Sequence, residues 1–568
     1  MRTIAGVLSA LDNDGATLEE VMFARSVLSE AAARDDDNYK MSNAEYVDKC
    51  VSAYLYGSNL ASYAAVSSFF TGRRLDAGRE RELLNRYVAA MLAPDRNLHL
   101  RISAPAQPDA DRMKALFAEG WKQGSSAVSD IPVASDTLKL VSPRKKVKLK
   151  NTSTDAFSGG KMWTFSNGIS VIYKKTADKG SFQYGFMVKG GWPEIPGIKG
   201  SEPAFAQDVI RLSKVGGMSA THLQDLLAMY GVTMEPQLSL TDVRLVGTAP
   251  TASLSLVLKT MLTVAGNTEP DPEAYSRYRK EKAVRLVRDK FSEEGTRAVL
   301  DSIMCPGYAY AAGSLPKPPA EGYEVRVNQY LTQKGSSFKN GVIVLIGDLN
   351  EGITLKLLTH CLGELKTGQQ RASRPRMQYP LRECWTTNSV LRDWRSHGVS
   401  VSLSTLWPFG ADGNIKLQLA CALLQARLDE ALCTDGMYSS VTAFSDLLPA
   451  EKLSVHIHCE PVLTSGLPAD VKPAPPVHAL QTVRSVINGL ASTEVDAATL
   501  ARAKTMLTNR FKAGENDPAL LRDAVLWRTS LGRDLNSGYA QRLKAVKASE
   551  IRELFAALMK SDCEYVVQ

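Results

Sequence analysis

Residues 161–192 read KMWTFSNGISVIYKKTADKGSFQYGFMVKGGW. Apolar and polar residues alternate on either side of Ser166-Asn167-Gly168, the period of a half-buried strand, and Asn-Gly favours a tight hairpin turn. The stretch predicts a hairpin and a further strand ending at Gly190 and Gly191. Just downstream, EPAFAQDVIRLSKVGGMSATHLQDLL (202–227) predicts a short helix, a turn at Gly216 and Gly217, and a second helix capped by Ser219.

Further along, NGVIVLIGDLNEGITLKLLTHCLGEL (340–365) predicts a buried strand, a turn and a helix. The same order is expected from NLHLRISAPAQPDADRMKALFAEGW (97–121). The chain ends also resemble each other: TLEEVMFARSVL (17–28) aligns with DAATLARAKTML (496–507), keeping Ala24/Ala503, Arg25/Lys504 and Leu28/Leu507 in register. Both are amphipathic helices begun by an N-cap residue, Thr17 or Asp496. Recurrence of this kind marks a duplicated unit. Unit endings fall near residues 121, 365 and 568, whereas strand-rich openings occur only at 161–192 and 399–432.

The expected organisation is therefore a helical closing half, 1–121, whose opening strands lie elsewhere; a linker, 122–160; a complete unit, 161–365; a basic linker, 366–384; and a C-terminal unit, 385–568. On this reading the chain is a truncated one.

With 568 residues the chain is long enough for about three or four compact units. Its 44% hydrophobic and 23% charged residues are ordinary for a globular protein, and the net charge of +8 is dispersed. The densest basic run, PRKKVKLK (143–150), lacks an aromatic platform and reads as solvated linker, not as a nucleic-acid or lipid surface. Eight cysteines are scattered without a C-x-x-C pair, so most are expected to be small buried residues. No apolar run reaches the ~18 residues of a membrane span, and the first residues do not read as a signal peptide. A G-x-S-x-G elbow and a G-x-x-x-x-G-K-[ST] phosphate loop are both absent, which argues against serine hydrolase and nucleotide chemistry.

The order of elements from Trp163 to Pro236, continued by DPEAYSRYRKEKAVRLVRD (271–289) and VIVLIGDLNEGITLKLL (342–358), resembles a unit of the pitrilysin and insulinase zinc peptidases, family M16. The resemblance covers nearly the whole chain outside the linkers. It implies an α+β fold of repeated two-layer units, each a mainly antiparallel sheet with helices against one face. Paired units in that family close around an unfolded peptide. Its chemistry needs His-x-x-Glu-His on the first helix, two imidazoles one turn apart on Zn²⁺ with a general base between them, plus a more distant Glu ligand.

Set on Phe205, those positions fall at Ala204, Gln207 and Asp208. Ala204 has no donor atom, Gln207 is no base, and Asp208 alone cannot hold zinc. The distant ligand would fall within Glu281–Asp289, at Arg285 or Leu286. No catalytic or metal residue is therefore assigned to this chain, and zinc is expected in an upstream or partner unit. In the closing unit, LDEALCTDGMYSSV (428–441) matches the family's substrate-facing stretch: Tyr438 stands at the oxyanion-donating Tyr, and Asp429 replaces the Arg, reversing its charge.

SVHIHCEP (454–461) places His456, His458 and Glu460 on one strand face, which could hold a metal or simply be solvated opposite a buried face of Val455, Ile457 and Cys459. The solvated reading is preferred. His99, His222, His360, His397 and His478 stand singly, with His222 on a helix.

The leading expectation is a non-catalytic part of an M16-type peptidase, forming the closing half of a peptide chamber and inactive alone. Its partners would be a peptide substrate and a zinc-bearing half, with no nucleic acid and no membrane. A stand-alone binding or scaffold protein is the alternative, and an unorthodox peptidase centred on His456 and His458 a third. Export of many bacterial members implies a periplasmic parent protein.

Overall fold

The computed structural model describes residues 1–18, 20–22, 24–25, 28, 43–61, 65, 68, 76–92, 109–124, 140–177, 180–198, 202–289, 319–338, 341–368, 388–391, 398–432, 436–447, 451–461, 476–515, 517–560 and 562–567. The first part is helical among these residues: α1 (Arg2–Asp14), α2 (Asn43–Tyr56), α3 (Ala77–Leu92) and α4 (Ala110–Gln123). The strand expected near 97–103 lies outside the described residues. Asp109 caps α4 by accepting from Asp111 and Arg112 N–H. Gly120 lets α1 approach closely, because a Cβ there would lie 2.4 Å from Arg2 O.

The middle unit is built on a seven-stranded sheet. Its strands are β1 (Leu149–Thr154), β2 (Lys161–Phe165), β3 (Ser170–Lys175), β4 (Ser181–Lys189), β6 (Glu235–Leu238), β7 (Asp242–Pro250) and β9 (Gly341–Gly347), in the order β1-β2-β3-β9-β4-β7-β6. A small pair, β5 (Lys214–Val215) and β8 (Thr268–Glu269), stands apart from it. The expected hairpin joins β2 to β3, with Gly168 at φ 86° completing the turn at no steric cost. GVIVLIG is β9, buried at the sheet's centre, parallel to β3 and antiparallel to β4.

Among the described residues its helices are, in chain order, α5 (Pro203–Ile210), α6 (Ala220–Met229), α7 (Leu254–Gly266), α8 (Pro272–Asp289), α9 (Tyr323–Gly335) and α10 (Glu351–Cys361). The core between sheet and helices is dense with large side chains, among them Trp163, Tyr173, Tyr184, Leu258, Leu345 and Leu358. Phe205, Val209 and Ile210 of α5 join a neighbouring cluster with Tyr275, Tyr323 and Tyr330.

The C-terminal unit has a five-stranded sheet of β10 (Asn388–Leu391), β11 (Gly398–Leu406), β12 (Met437–Asp446), β13 (Lys452–Pro461) and β14 (Asp562–Val567), ordered β10-β14-β11-β13-β12. Its helices are α11 (Ala411–Leu432), α12 (Pro476–Ser492), α13 (Ala497–Glu515), α14 (Pro518–Leu531), α15 (Tyr539–Ala545) and α16 (Ala548–Leu558). Asp496 caps α13 through Thr499 N–H, as its sequence pattern predicts. The mixed α+β architecture of sheets packed by helices agrees with the fold class expected from sequence.

Three features differ from the sequence expectations. First, β1 lies within the 122–160 segment, and the basic run before it is pinned: Arg144 and Lys145 N–H donate to Glu364 Oε1 at 2.6 and 2.8 Å, and Val147 N–H to Thr359 O at 2.9 Å. Its lysines reach solvent while its backbone packs.

Second, the seven-stranded sheet is covered on both faces. Val525 and Leu526 of α14 pack on Ile172, Met187, Val246, Val344 and Ile346. Gly185 makes room, since a Cβ there would meet Leu526 Cδ1 at 2.7 Å. Third, the face of β13 bearing His456 is not solvated. His456 is 3% exposed and Ser400, Ser402, Ser404 and Ser454 of the same face are buried with it, so both faces of the strand are enclosed there. Period two tells which residues share a face and not whether that face is covered.

Candidate functional site

Helix α5 places Ala204, Gln207 and Asp208 on one face by i, i+3, i+4 spacing, opposite the buried Phe205, Ala206, Val209 and Ile210. Each polar member of that face has a defined partner. Gln207 Nε2 donates to Pro236 O at 2.5 Å, and Gln207 Oε1 accepts from Leu238 N–H. One turn on, Arg211 pairs with Glu235. The helix therefore grips β6, the last strand of the sheet, through its backbone and one side chain.

On the other side, Asp208 Oδ2 accepts from Tyr278 Oη at 2.7 Å and faces Lys282 Nζ at 3.4 Å, both from α8. Burial, reinforced by the hydrogen bond to Asp208 and its charge, pushes the Tyr278 phenol well above its ordinary range, so it remains a donor. The Lys282 ammonium also lies 5.8 Å from the Phe205 ring.

These residues do not fit zinc. Ala204 is exposed and offers no donor, the Gln207 amide is engaged by the sheet edge, and Asp208 is already balanced by a cation. Helix α8 brings an ammonium and a phenol toward α5, where a third ligand would have to be a carboxylate or imidazole. Of the two sequence candidates on α8, Arg285 is exposed, and the Leu286 side chain lies outside the described residues. Sequence reasoning missed Arg211, Tyr278 and Lys282; only the i+4 spacing of Gln207 and Arg211 was visible as a shared helix face.

In the C-terminal unit, Tyr438 projects from edge strand β12 and is 57% exposed. Its neighbour Ser439 points inward, and Ser439 Oγ and Gln425 Nε2 both donate to Asp429 Oδ1, at 3.1 and 2.7 Å. Asp429 thus ties α11 to β12. His458 Nδ1 is 2.8 Å from Ser400 Oγ, and its Nε2 is 3.9 Å from Glu460. Among the described residues, no three His, Cys, Asp or Glu side chains converge as a metal-holding group.

Solved structures share this fold. The ferredoxin protease FusC, solved as a point mutant in complex with Arabidopsis ferredoxin, superposes with a TM-score of 0.60 at 14% identity over 99% of this chain and 62% of its own. The periplasmic protease PqqL from Escherichia coli gives 0.58 at 14% identity, over 100% and 63%. A peptidase M16 inactive domain from Pseudomonas fluorescens gives 0.56 at 13% identity, over 74% and 98%. This is the M16 peptidase fold. At such identities the M16 likeness is one of fold, and the chain spans about three fifths of the FusC and PqqL chains. No family model and no curated protein matches the sequence. No helix among the described residues is long and apolar enough to cross a membrane.

Proposed function

We propose that this chain is the non-catalytic part of an M16-type zinc peptidase. It forms the closing half of a peptide-binding chamber, and a zinc-bearing unit is supplied by upstream sequence or by a separate chain. The observation that carries this reading is the state of α5. On the sequence resemblance α5 corresponds to the family's metal helix, and its motif face is committed to Pro236, Leu238, Tyr278 and Lys282. Zinc and the general base then belong to the other half.

The contribution of this half is enclosure and orientation. A peptide added to a sheet edge inside a closed cavity is held in register and shielded from water, which lowers the entropic part of the barrier. Tyr438, exposed on an edge strand, is the residue offered to the substrate or its oxyanion. The Asp429 carboxylate holds Ser439 and contributes no positive charge there. FusC, in complex with ferredoxin, supports a protein or peptide ligand, and the periplasmic protease PqqL supports an exported parent protein.

The test is cleavage of an unstructured peptide, with metal content measured in parallel, by this chain alone and after adding a zinc-bearing M16 half. Activity only on recombination is the expected result. Chelator-sensitive cleavage with stoichiometric zinc by the chain alone would overturn it, and silence in both samples would favour a binding or scaffold protein.

A further inference from the structure

We infer that residues 144–150 form a fixed basic ridge that docks an acidic polypeptide segment. The inference goes beyond the proposed chamber and does not rest on it.

Arg144, Lys145, Lys146, Lys148 and Lys150 are all exposed, so the run presents its cations to solvent within a few residues of chain. A solvated linker would leave such a run free to move, but here the main chain is tied down. Arg144 and Lys145 N–H donate to Glu364 Oε1, Val147 N–H donates to Thr359 O, and Lys148 N–H donates to Ser166 Oγ at 3.2 Å. Between the lysines, Val147 is 8% exposed and packs into the core of the middle unit. Gly363 allows the close approach, because a Cβ there would lie 2.1 Å from Lys145 O. The anchors are main-chain groups and one valine, which leaves the five cationic side chains available on a backbone already ordered. A partner then does not bear the cost of ordering that backbone.

The charges are not neutralised from within. Among the described residues no carboxylate forms an ion pair with any of the five side chains: Glu351 pairs with Lys161 and Asp348 with Lys175. Glu364, the carboxylate bonded to the run, uses Oε1 on two backbone N–H groups. The surroundings then select among polyanions. Single-stranded nucleic acid is held by stacking its bases on exposed rings, whereas Trp163 and Phe165 of the adjoining strand β2 are 1% and 0% exposed. A membrane-surface segment sinks an apolar anchor among the headgroups, and the valine of this run is turned into the core instead. An acidic polypeptide needs neither feature, only complementary charge. Alternate side chains of an extended chain recur about every 7 Å, so a segment with Glu at every second position can meet several of the five cations together.

The experiment measures fluorescence anisotropy of a labelled peptide with Glu at every second position and Ser between, on the full chain. Binding is expected at ~50 mM salt, weakened at least about tenfold at ~500 mM or when the glutamates are replaced by Gln. The combined variant Lys146→Glu, Lys148→Glu and Lys150→Glu should lose at least about tenfold in affinity. Because the anchors are main-chain N–H groups, it should keep the circular dichroism of the unaltered chain. Reversing the exposed Lys280, Lys512 and Lys560 changes the net charge equally and should alter affinity less than about twofold. No binding of the Glu peptide, indifference to its glutamates, or equal loss in the two variants would overturn the ridge as a docking site. Oligothymidylate or phosphatidylglycerol vesicles held more tightly than the peptide at ~150 mM salt would overturn the choice of partner. Should the reversed variant fail to fold, Lys146→Gln, Lys148→Gln and Lys150→Gln together decide the same question, again by at least about a tenfold loss.

Discussion

The Asp208 carboxylate and the Lys282 ammonium face each other at 3.4 Å between α5 and α8, both one-quarter to one-third exposed. A pair of opposite charges replaces the convergence of lone pairs that a metal requires. What remains is a mechanical tie between two helices, worth about 1 kcal/mol at this exposure.

Restoring the motif on α5 alone is therefore expected to fail. A variant carrying Ala204→His, Gln207→Glu and Asp208→His should take up less than stoichiometric zinc in competition with a chromophoric chelator, because Lys282 repels the ion. Adding Lys282→Glu, which supplies an oxygen ligand, should raise zinc affinity at least about tenfold. Full zinc occupancy in the triple variant would contradict this account of the helix pair.

Leu526 is 0% exposed and sits against the second face of the seven-stranded sheet. Leu526→Ala should cost about 3 kcal/mol in urea unfolding, the usual range for a leucine lost from a packed interior. Arg522 donates to Gln183 Oε1 and Gly247 O across the same interface, and Thr241 Oγ1 lies 2.7 Å from Ser530 Oγ. Loss of α14 docking should therefore expose amides of β4 and β7 to hydrogen exchange together. A loss under about 1 kcal/mol with unchanged exchange would show that the two units are held by other contacts.

Asp155 gives a pH dependence with a defined sign. Burial works to raise its pKa, but Ser158, through its N–H and hydroxyl, and the Arg528 guanidinium at 3.2 Å hold it below the ordinary carboxylate value. A folded-state value below the unfolded one adds stability above about pH 4, and that stability disappears as pH falls through the lowered value. Asp155→Asn should cost about 1 kcal/mol at pH 7, with the difference from the unaltered chain shrinking toward pH 2. A gap that stays constant across this range in urea titrations would rule out titration of Asp155 as its origin.

Tyr438→Phe should leave stability within about 0.5 kcal/mol, since the ring is more than half exposed. In the recombined peptidase it should lower kcat by about tenfold or more while KM changes little, the signature of a donor used in the transition state. Equal loss in KM alone would reassign the tyrosine to ground-state binding.

Local pattern decided much of this protein before any tertiary contact was considered. The Ser166-Asn167-Gly168 hairpin, the apolar run of β9 and the caps at Ser219 and Asp496 follow from turn chemistry and periodicity within a few residues. That Ala204 carries no donor atom and Gln207 no base was equally legible, because it depends only on which atoms those side chains carry. What those side chains do instead was not. Gln207 meets Pro236 and Leu238, Asp208 meets Lys282, and Leu526 meets Gly185, partners separated by about thirty to several hundred residues. The same holds for His456: alternation placed it on a face with His458, but only the assembled sheet decided that the face is buried. Secondary structure answers to forces acting over one or two turns of chain, whereas a polar side chain takes its role from whatever donor or acceptor the fold brings within 3 Å.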